Sequence, residues 1–193
     1  MSEEAPREYS LAGKRPPDRG LVIVNTGDGT GKSTAAFGTA LRAAGAGMKV
    51  LIVQFMKGTW KYGELEAFKR LGNVEIVAMG AGFTWDTLDR EKDERTAREA
   101  WEYAKRKMNT GEFDLVVLDE INYVLGYGFL QVADVVEAVR ARTRDVNPRK
   151  VHVMLTGGFA PQELVDLADT VTEMKKIKHA FDAGYLAIKG LEF

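Results

Sequence analysis

The 193-residue chain contains no cysteine, which excludes disulfides, thiolate metal sites and thiol nucleophiles. It also has no long hydrophobic run. The longest strongly apolar stretch, residues 50–56, is far too short to cross a bilayer. The opening MSEEAPREYS has no apolar region of the secretory kind. Neither sign of charge dominates: 27 Lys+Arg against 28 Asp+Glu leave a net charge of −1. No broad electrostatic footprint for nucleic acid or a lipid surface results. These absences set the expectation of a soluble, cytoplasmic protein with no nucleic-acid or membrane partner.

Proline is scarce, and three of the five prolines (Pro6, Pro16, Pro17) fall in the polar, charged residues 1–19. That segment has too little apolar surface to offset its ordering entropy. It reads as a mobile tail, or alternatively as an arm that orders over a ligand or a partner subunit. Residues 20–193 read as one domain. Short apolar, β-branched runs at 21–24, 50–55, 74–79, 113–118 and 151–155, with a final short one at 171–174, have strand character. Between them lie helical patterns. Ser33 to about Ala44 ends at glycines, 63–71 suggests a short helix, and Ala97, Ala100, Trp101, Ala104 and Met108 share one helix face. Val132, Val135, Val136 and Val139 repeat that spacing, and Pro161 opens a helix carrying Leu164 and Leu167. Strands alternating with helices indicate an α/β fold, a mostly parallel sheet with helices on both faces. Ligands in such sheets bind beyond the carboxyl ends of the strands.

Directly after the first strand comes Thr26-Gly27-Asp28-Gly29-Thr30-Gly31-Lys32-Ser33, followed by Thr34. The pattern is that of a phosphate-binding P-loop, except that Thr26 stands where the first glycine belongs. Gly27, Gly29 and Gly31 allow positive φ and close approach of backbone N–H groups to phosphate oxygens. The helix N-terminus adds a favourable dipole, Lys32 a positive charge, and Ser33 a hydroxyl placed for Mg²⁺. A partner for the metal is expected from another strand end, and Leu115–Leu118 followed by Asp119-Glu120 supplies it. Taken alone, those acids would serve equally to open the next helix. These motifs call for a Mg²⁺-nucleotide. No [NT]-K-x-D guanine-reading motif is present, which favours ATP over GTP.

Several segments, in order along the chain, resemble the P-loop type of ATP:corrinoid adenosyltransferase. They are TGDGTGKSTAAFGTALRA, VQFMKGTW, GFTWDT, VVLDEINY and LADTVTEMKKIKHAFDAG. The resemblance implies a RecA-like P-loop NTPase architecture. It also implies a reaction in which the cobalt(I) of a reduced corrinoid attacks the 5′ carbon of ATP and triphosphate leaves whole. Under it, residues 27–34 bind the nucleotide phosphates, and Arg42 matches an arginine that approaches the nucleotide. Ser33 and Glu120 match the Mg²⁺ positions, with Asp119 behind them. Phe83 and Trp85 match aromatics that line the lower corrin face and keep an axial ligand off cobalt(II). Lys57, just after the second strand, is within reach of phosphate or of corrin side chains. A homodimer and a reduced flavoprotein electron donor are further implications.

One departure stands out. Family members commonly read T-G-R after the fifth strand, and this chain reads Thr156-Gly157-Gly158, so a cation expected beside the phosphates is missing. His152 reads as structural, and His179 belongs to the KHAFDAG signature without an assigned step. The competing reading of the same loop is a P-loop phosphotransferase or NTPase acting on another small molecule. A nucleotide-dependent binding module without turnover is a third.

Overall fold

The computed structural model describes residues 13–14, 17–58, 63–80, 89–142 and 151–191. Its elements are β1 (Val22–Thr26), α1 (Lys32–Gly45), β2 (Val50–Gln54), α2 (Gly63–Phe68) and β3 (Val74–Ala78), then α3 (Arg90–Met108) and β4 (Leu115–Asp119). There follow α4 (Ile121–Gly126), α5 (Val132–Ala141), β5 (His152–Thr156), α6 (Gln162–Leu167) and β6 (Thr170–Glu173). The six strands form one sheet in the order β3-β2-β4-β5-β1-β6, and every pairing is parallel.

The two-residue period of a strand sorts apolar side chains onto two faces. Leu51, Val53, Val116, Leu118, Val153 and Leu155 join one core with Trp101 and Ala104 of α3 and Val135 and Val139 of α5. Val50, Ile52, Leu115, Val117 and Met154 join the other, with Phe37, Ala40 and Ala44 of α1. Helices therefore cover both faces, as the pattern predicts. The small alanines on α1 let it lie close to the sheet, which fixes the height of its N-terminus above the strand ends.

The helix predicted from Ala97, Ala100, Trp101, Ala104 and Met108 is α3, and all five side chains are buried. Asp89 caps its start by accepting the Lys92 N–H at 3.0 Å. Glu91 and Asp93 lie in its first turn and Lys105, Arg106 and Lys107 in its last, each matched to the sign of the helix dipole there.

Strand ends differ from the apolar runs by one or two residues, later for β1, β4 and β5 and earlier for β2, β3 and β6. β1, β2, β4 and β5 end on Thr26, Gln54, Asp119 and Thr156, so each carries a polar residue at its carboxyl end inside the ladder. The reason is pairing: Asn25 sits opposite Thr156, and Gln54 opposite Asp119. The opposite end of the sheet is held by charged side chains. Arg19 forks onto Asp169 at 2.5 and 2.8 Å. The buried Arg142 guanidinium donates to the carbonyls of Gly20 (2.7 Å), Val151 (3.0 Å) and Val139. No helix among the described residues is long and apolar enough to cross a membrane.

Candidate functional site

Strands β2, β4, β5 and β1 lie side by side, which lines up their carboxyl ends. Gln54, Asp119, Thr156 and Asn25, one from each, are all buried polar residues, and Asn122 of α4 is buried directly above them. A buried polar row of this kind must be internally hydrogen-bonded. Asp119 is fully buried; the Thr156 hydroxyl donates to its Oδ1 at 2.8 Å and Gln54 Nε2 to its Oδ2 at 3.1 Å. The same Thr156 oxygen accepts the Glu120 N–H at 2.9 Å. Asn122 Nδ2 donates to the Gly157 carbonyl at 3.0 Å. Both carboxylate oxygens of Asp119 are thus held in the row, in which Asn122 Oδ1 is left without a partner.

Glu120 has the opposite character. Its backbone takes φ 68°, a left-handed conformation that is costly for a branched-Cβ or long side chain and persists where surroundings impose it. Its Oε2 is buried with no hydrogen-bond partner. Burial, then the Asp119 charge, push its carboxyl up to about 7, against the attraction of Lys57 and Lys32. Glu120 thus presents a buried oxygen without a hydrogen-bond partner, within electrostatic reach of two lysines.

The phosphate loop sits beside it. Gly31 caps α1 at φ 103°, and Lys32 folds back so that Nζ donates to the Gly29 carbonyl at 2.5 Å. Burial lowers the Lys32 pKa, with Asp28 and Glu120 acting in the opposite sense. Gly27 and Gly29 meet a constraint the sequence pattern does not show. A Cβ at Gly27 would lie 2.3 Å from the Met174 carbonyl oxygen, and one at Gly29 would lie 2.8 Å from backbone atoms of Met174 and Lys175. Gly29 N–H donates to the Met174 oxygen at 2.7 Å. Asp28 Oδ1 accepts the Lys176 N–H at 3.0 Å, which holds the Asp28 carboxyl below its ordinary range. The loop is thus braced from behind by the chain that follows β6. Thr26, where the motif expects glycine, uses its hydroxyl to accept the Ala160 N–H at 3.1 Å, tying the loop to the segment after β5.

Thr30, Gly31, Lys32, Ser33, Thr34, Lys57 and Glu120 line one cavity of about 300 Å³, together with Gln54 and Tyr123. Larger hollows of about 580 and 670 Å³ lie on the surfaces of α3, α5 and α6, but only this one joins the loop to an unpartnered acid. Gly27, Asp28 and Gly29 stand behind the cavity as its brace, and Asp119 lies beneath it. Arg42 is exposed in the last turn of α1, ten residues beyond Lys32 and so about 15 Å along the axis; the structure does not bring it to this cavity. Phe83 and Trp85 fall outside the described residues. His152 Nδ1 accepts the Leu21 N–H at 3.1 Å, and His179 Nδ1 accepts that of Phe181 at 3.1 Å. Both have backbone-supporting roles.

The segment Thr156-Gly157-Gly158 is packed by Tyr123: a Cβ at Gly158 would sit 3.0 Å from the tyrosine ring. A tyrosine thus stands against the position where a longer side chain would depart. Sequence reasoning missed Gln54, Thr156, Asn122 and Tyr123. The available signal was a polar residue closing an apolar run at Thr156 and one interrupting the run 50–55 at Gln54.

Comparisons with known proteins agree with this geometry. Two solved structures, the flagellar accessory protein FlaH from Methanocaldococcus jannaschii and a RadB recombinase, each superimpose with a TM-score of 0.50 at 16% identity. They cover 80% and 83% of this chain, and 70% and 77% of their own, which establishes the RecA-like P-loop fold. A corrinoid adenosyltransferase of Escherichia coli K12 is 46% identical over 176 residues, 91% of this chain and 87% of the relative. One from Sinorhizobium sp is 44% identical over 193 residues, 99% and 88% of the two chains. Residues 18–193 match the family described as ATP:corrinoid adenosyltransferase BtuR/CobO/CobP. With the loop, the acid and the fold all in agreement, this chain belongs to the ATP:corrinoid adenosyltransferase family.

Proposed function

We propose that the cavity between the phosphate loop and Glu120 holds the triphosphate of ATP while cobalt(I) of a reduced corrinoid attacks the 5′ carbon of the ribose. In that substitution the cobalt electron pair forms the Co–C bond. The C5′–O bond breaks, its electrons leave with inorganic triphosphate, and the metal is formally oxidised to cobalt(III). No phosphoryl group moves, so the protein's main task is to stabilise a highly charged leaving group. Lys32 and the backbone N–H groups at the start of α1 do this directly.

The observation that carries the reading is the buried, unpartnered Glu120 Oε2 in the same cavity as Lys32 and Ser33. Among the described residues no cluster of three or more His, Asp or Glu forms a cage of its own. One carboxylate and one hydroxyl suit Mg²⁺, which takes its remaining ligands from phosphate and water. Ser33 and Glu120 are the residues that would hold it, and it would neutralise charge on the departing triphosphate. Asp119, bound to Thr156 and Gln54, fixes the floor on which Glu120 turns. Phe83 and Trp85 line the lower corrin face and keep axial donors from cobalt(II), which eases its reduction. Arg42, in the last turn of α1, approaches the nucleotide from outside this cavity.

The protein acts in the cytoplasm as a homodimer, with electrons supplied by a reduced flavoprotein. The exposed Ile177, Phe181 and Leu186 support an apolar contact between copies. An anaerobic assay with ATP, Mg²⁺ and cob(I)alamin tests the reaction, following the cobalt–carbon product by absorbance and the released anion by chromatography. Triphosphate is the expected anion; ADP or orthophosphate without a cobalt–carbon product would favour a phosphotransferase instead.

A further inference from the structure

Among the described residues only two outside glycine have positive φ: Glu120 at 68° and Phe159 at 58°. The first bends a carboxylate into the nucleotide cavity. The second has no such explanation yet. Phenylalanine in the left-handed region is strained where glycine would not be, and burial does not compensate, because Phe159 is 79% exposed.

The backbone there is held from both sides by the site itself. Gly158 is pressed against the Tyr123 ring, and Ala160 N–H is tied to the Thr26 hydroxyl of the phosphate loop. The Phe159 ring leans edge-on against Tyr123, with centroids 6.3 Å apart and planes at 70°. Tyr123 in turn lines the cavity. Phe159 therefore stands at the rim, one ring outward from the nucleotide, supported but uncovered. Strain of this kind, imposed by a functional site, is where a ligand contact is expected.

The occupant follows from size and polarity. A cavity of about 300 Å³ is at the small end of ligand sites, and its loop, lysines and acid suit the triphosphate and adjoining sugar. A corrin macrocycle is too broad to enter and must lie across the mouth. An aromatic ring held firmly on a second ring offers such a ligand a large apolar contact at little conformational cost. We propose that Phe159, propped on Tyr123 at the rim of the nucleotide cavity, contacts the corrin macrocycle and sets affinity for the second substrate. The proposal rests on the adenosyl-transfer reading.

The informative variant is Phe159→Gly, because glycine relieves the backbone strain and removes the ring together. Its melting temperature should equal or exceed that of the unmodified protein. With Mg²⁺-ATP and pre-reduced corrinoid, KM for the corrinoid should rise about tenfold. KM for ATP and kcat at saturating corrinoid should stay within about twofold. Phe159→Trp should keep the corrinoid KM near its original value. An unchanged corrinoid KM in Phe159→Gly would overturn the proposal, as would a rise confined to KM for ATP, which would assign the ring to adenine. A lowered melting temperature with equal losses for both substrates would reduce Phe159 to a structural role. Failure of the unmodified chain to form any cobalt–carbon product would instead overturn the reading beneath the proposal.

Discussion

Replacing Glu120 by glutamine should stabilise the ligand-free protein while disabling it. The Glu120 carboxyl is pushed from 4.5 up to about 7, first by burial and then by Asp119. Because the folded state binds this proton more tightly than the unfolded chain, the contribution is fully present below pH 4.5 and is lost as pH rises through 7. That rise corresponds to at most about 3 kcal/mol by pH 8. Glutamine resembles the protonated acid at every pH. Glu120→Gln should therefore match the unmodified protein near pH 4.5 and exceed it increasingly from there to pH 8. The gain at pH 8 is on the order of 10 °C in Tm. Urea unfolding at a series of pH values, with chelator and without nucleotide, measures the difference. Mg²⁺ with ATP should reverse the ranking, since only the carboxylate meets the metal, and adenosyl transfer should fall steeply. A stability difference independent of pH, or a destabilised variant at pH 8, would refute the claim that Glu120 is an uncompensated buried acid.

The other expectations concern the loop and its floor. Lys32→Ala should lower adenosyl transfer by about a hundredfold or more with little change in Tm, checked by initial rates and thermal melts. Gly29→Ala should destabilise by about 1–3 kcal/mol through collision with the backbone of Met174 and Lys175, and Gly27→Ala by more, because it adds φ strain; chemical denaturation measures both. Thr156→Val strands Asp119 Oδ1 and the Glu120 N–H, so a loss of about 2–4 kcal/mol is expected on unfolding. Combined Phe83→Ala and Trp85→Ala should impair reaction starting from cobalt(II) far more than from pre-reduced cobalt(I); equal losses in the two assays would remove the axial-ligand role.

What was legible beforehand depended on whether chemistry was contiguous in the chain. The phosphate loop and Asp119-Glu120 each occupy one stretch, and the strand–turn–helix context around Lys32 follows from the apolar runs. The polar row was not legible. Gln54, Thr156 and Asn25 are single polar residues on separate strands, and only the register of a parallel sheet places them side by side. Nor could the loop pattern show why Gly27 and Gly29 lack side chains, because the atoms they avoid belong to Met174, far along the chain. Arg42 is the reverse case. Its family match suggested proximity to nucleotide, yet counting turns of α1 from Lys32 already puts it at the far end of the helix. β1, β4 and β5 run past their apolar runs while β2, β3 and β6 stop a residue short, because ladder pairing, rather than hydrophobicity, decides where a strand stops.

The brace behind the phosphate loop bears on how the protein is made. Synthesis proceeds from the N-terminus, so residues 26–33 emerge early, while the Met174 carbonyl and Lys176 N–H that hold Gly29 and Asp28 emerge only after β6. A nascent chain stopped before Thr170 would carry the whole nucleotide motif, five of the six strands and the Thr26–Ala160 tie, but neither of the bonds that hold Gly29 and Asp28. By this geometry the loop takes its final shape only once the chain beyond β6 has joined it.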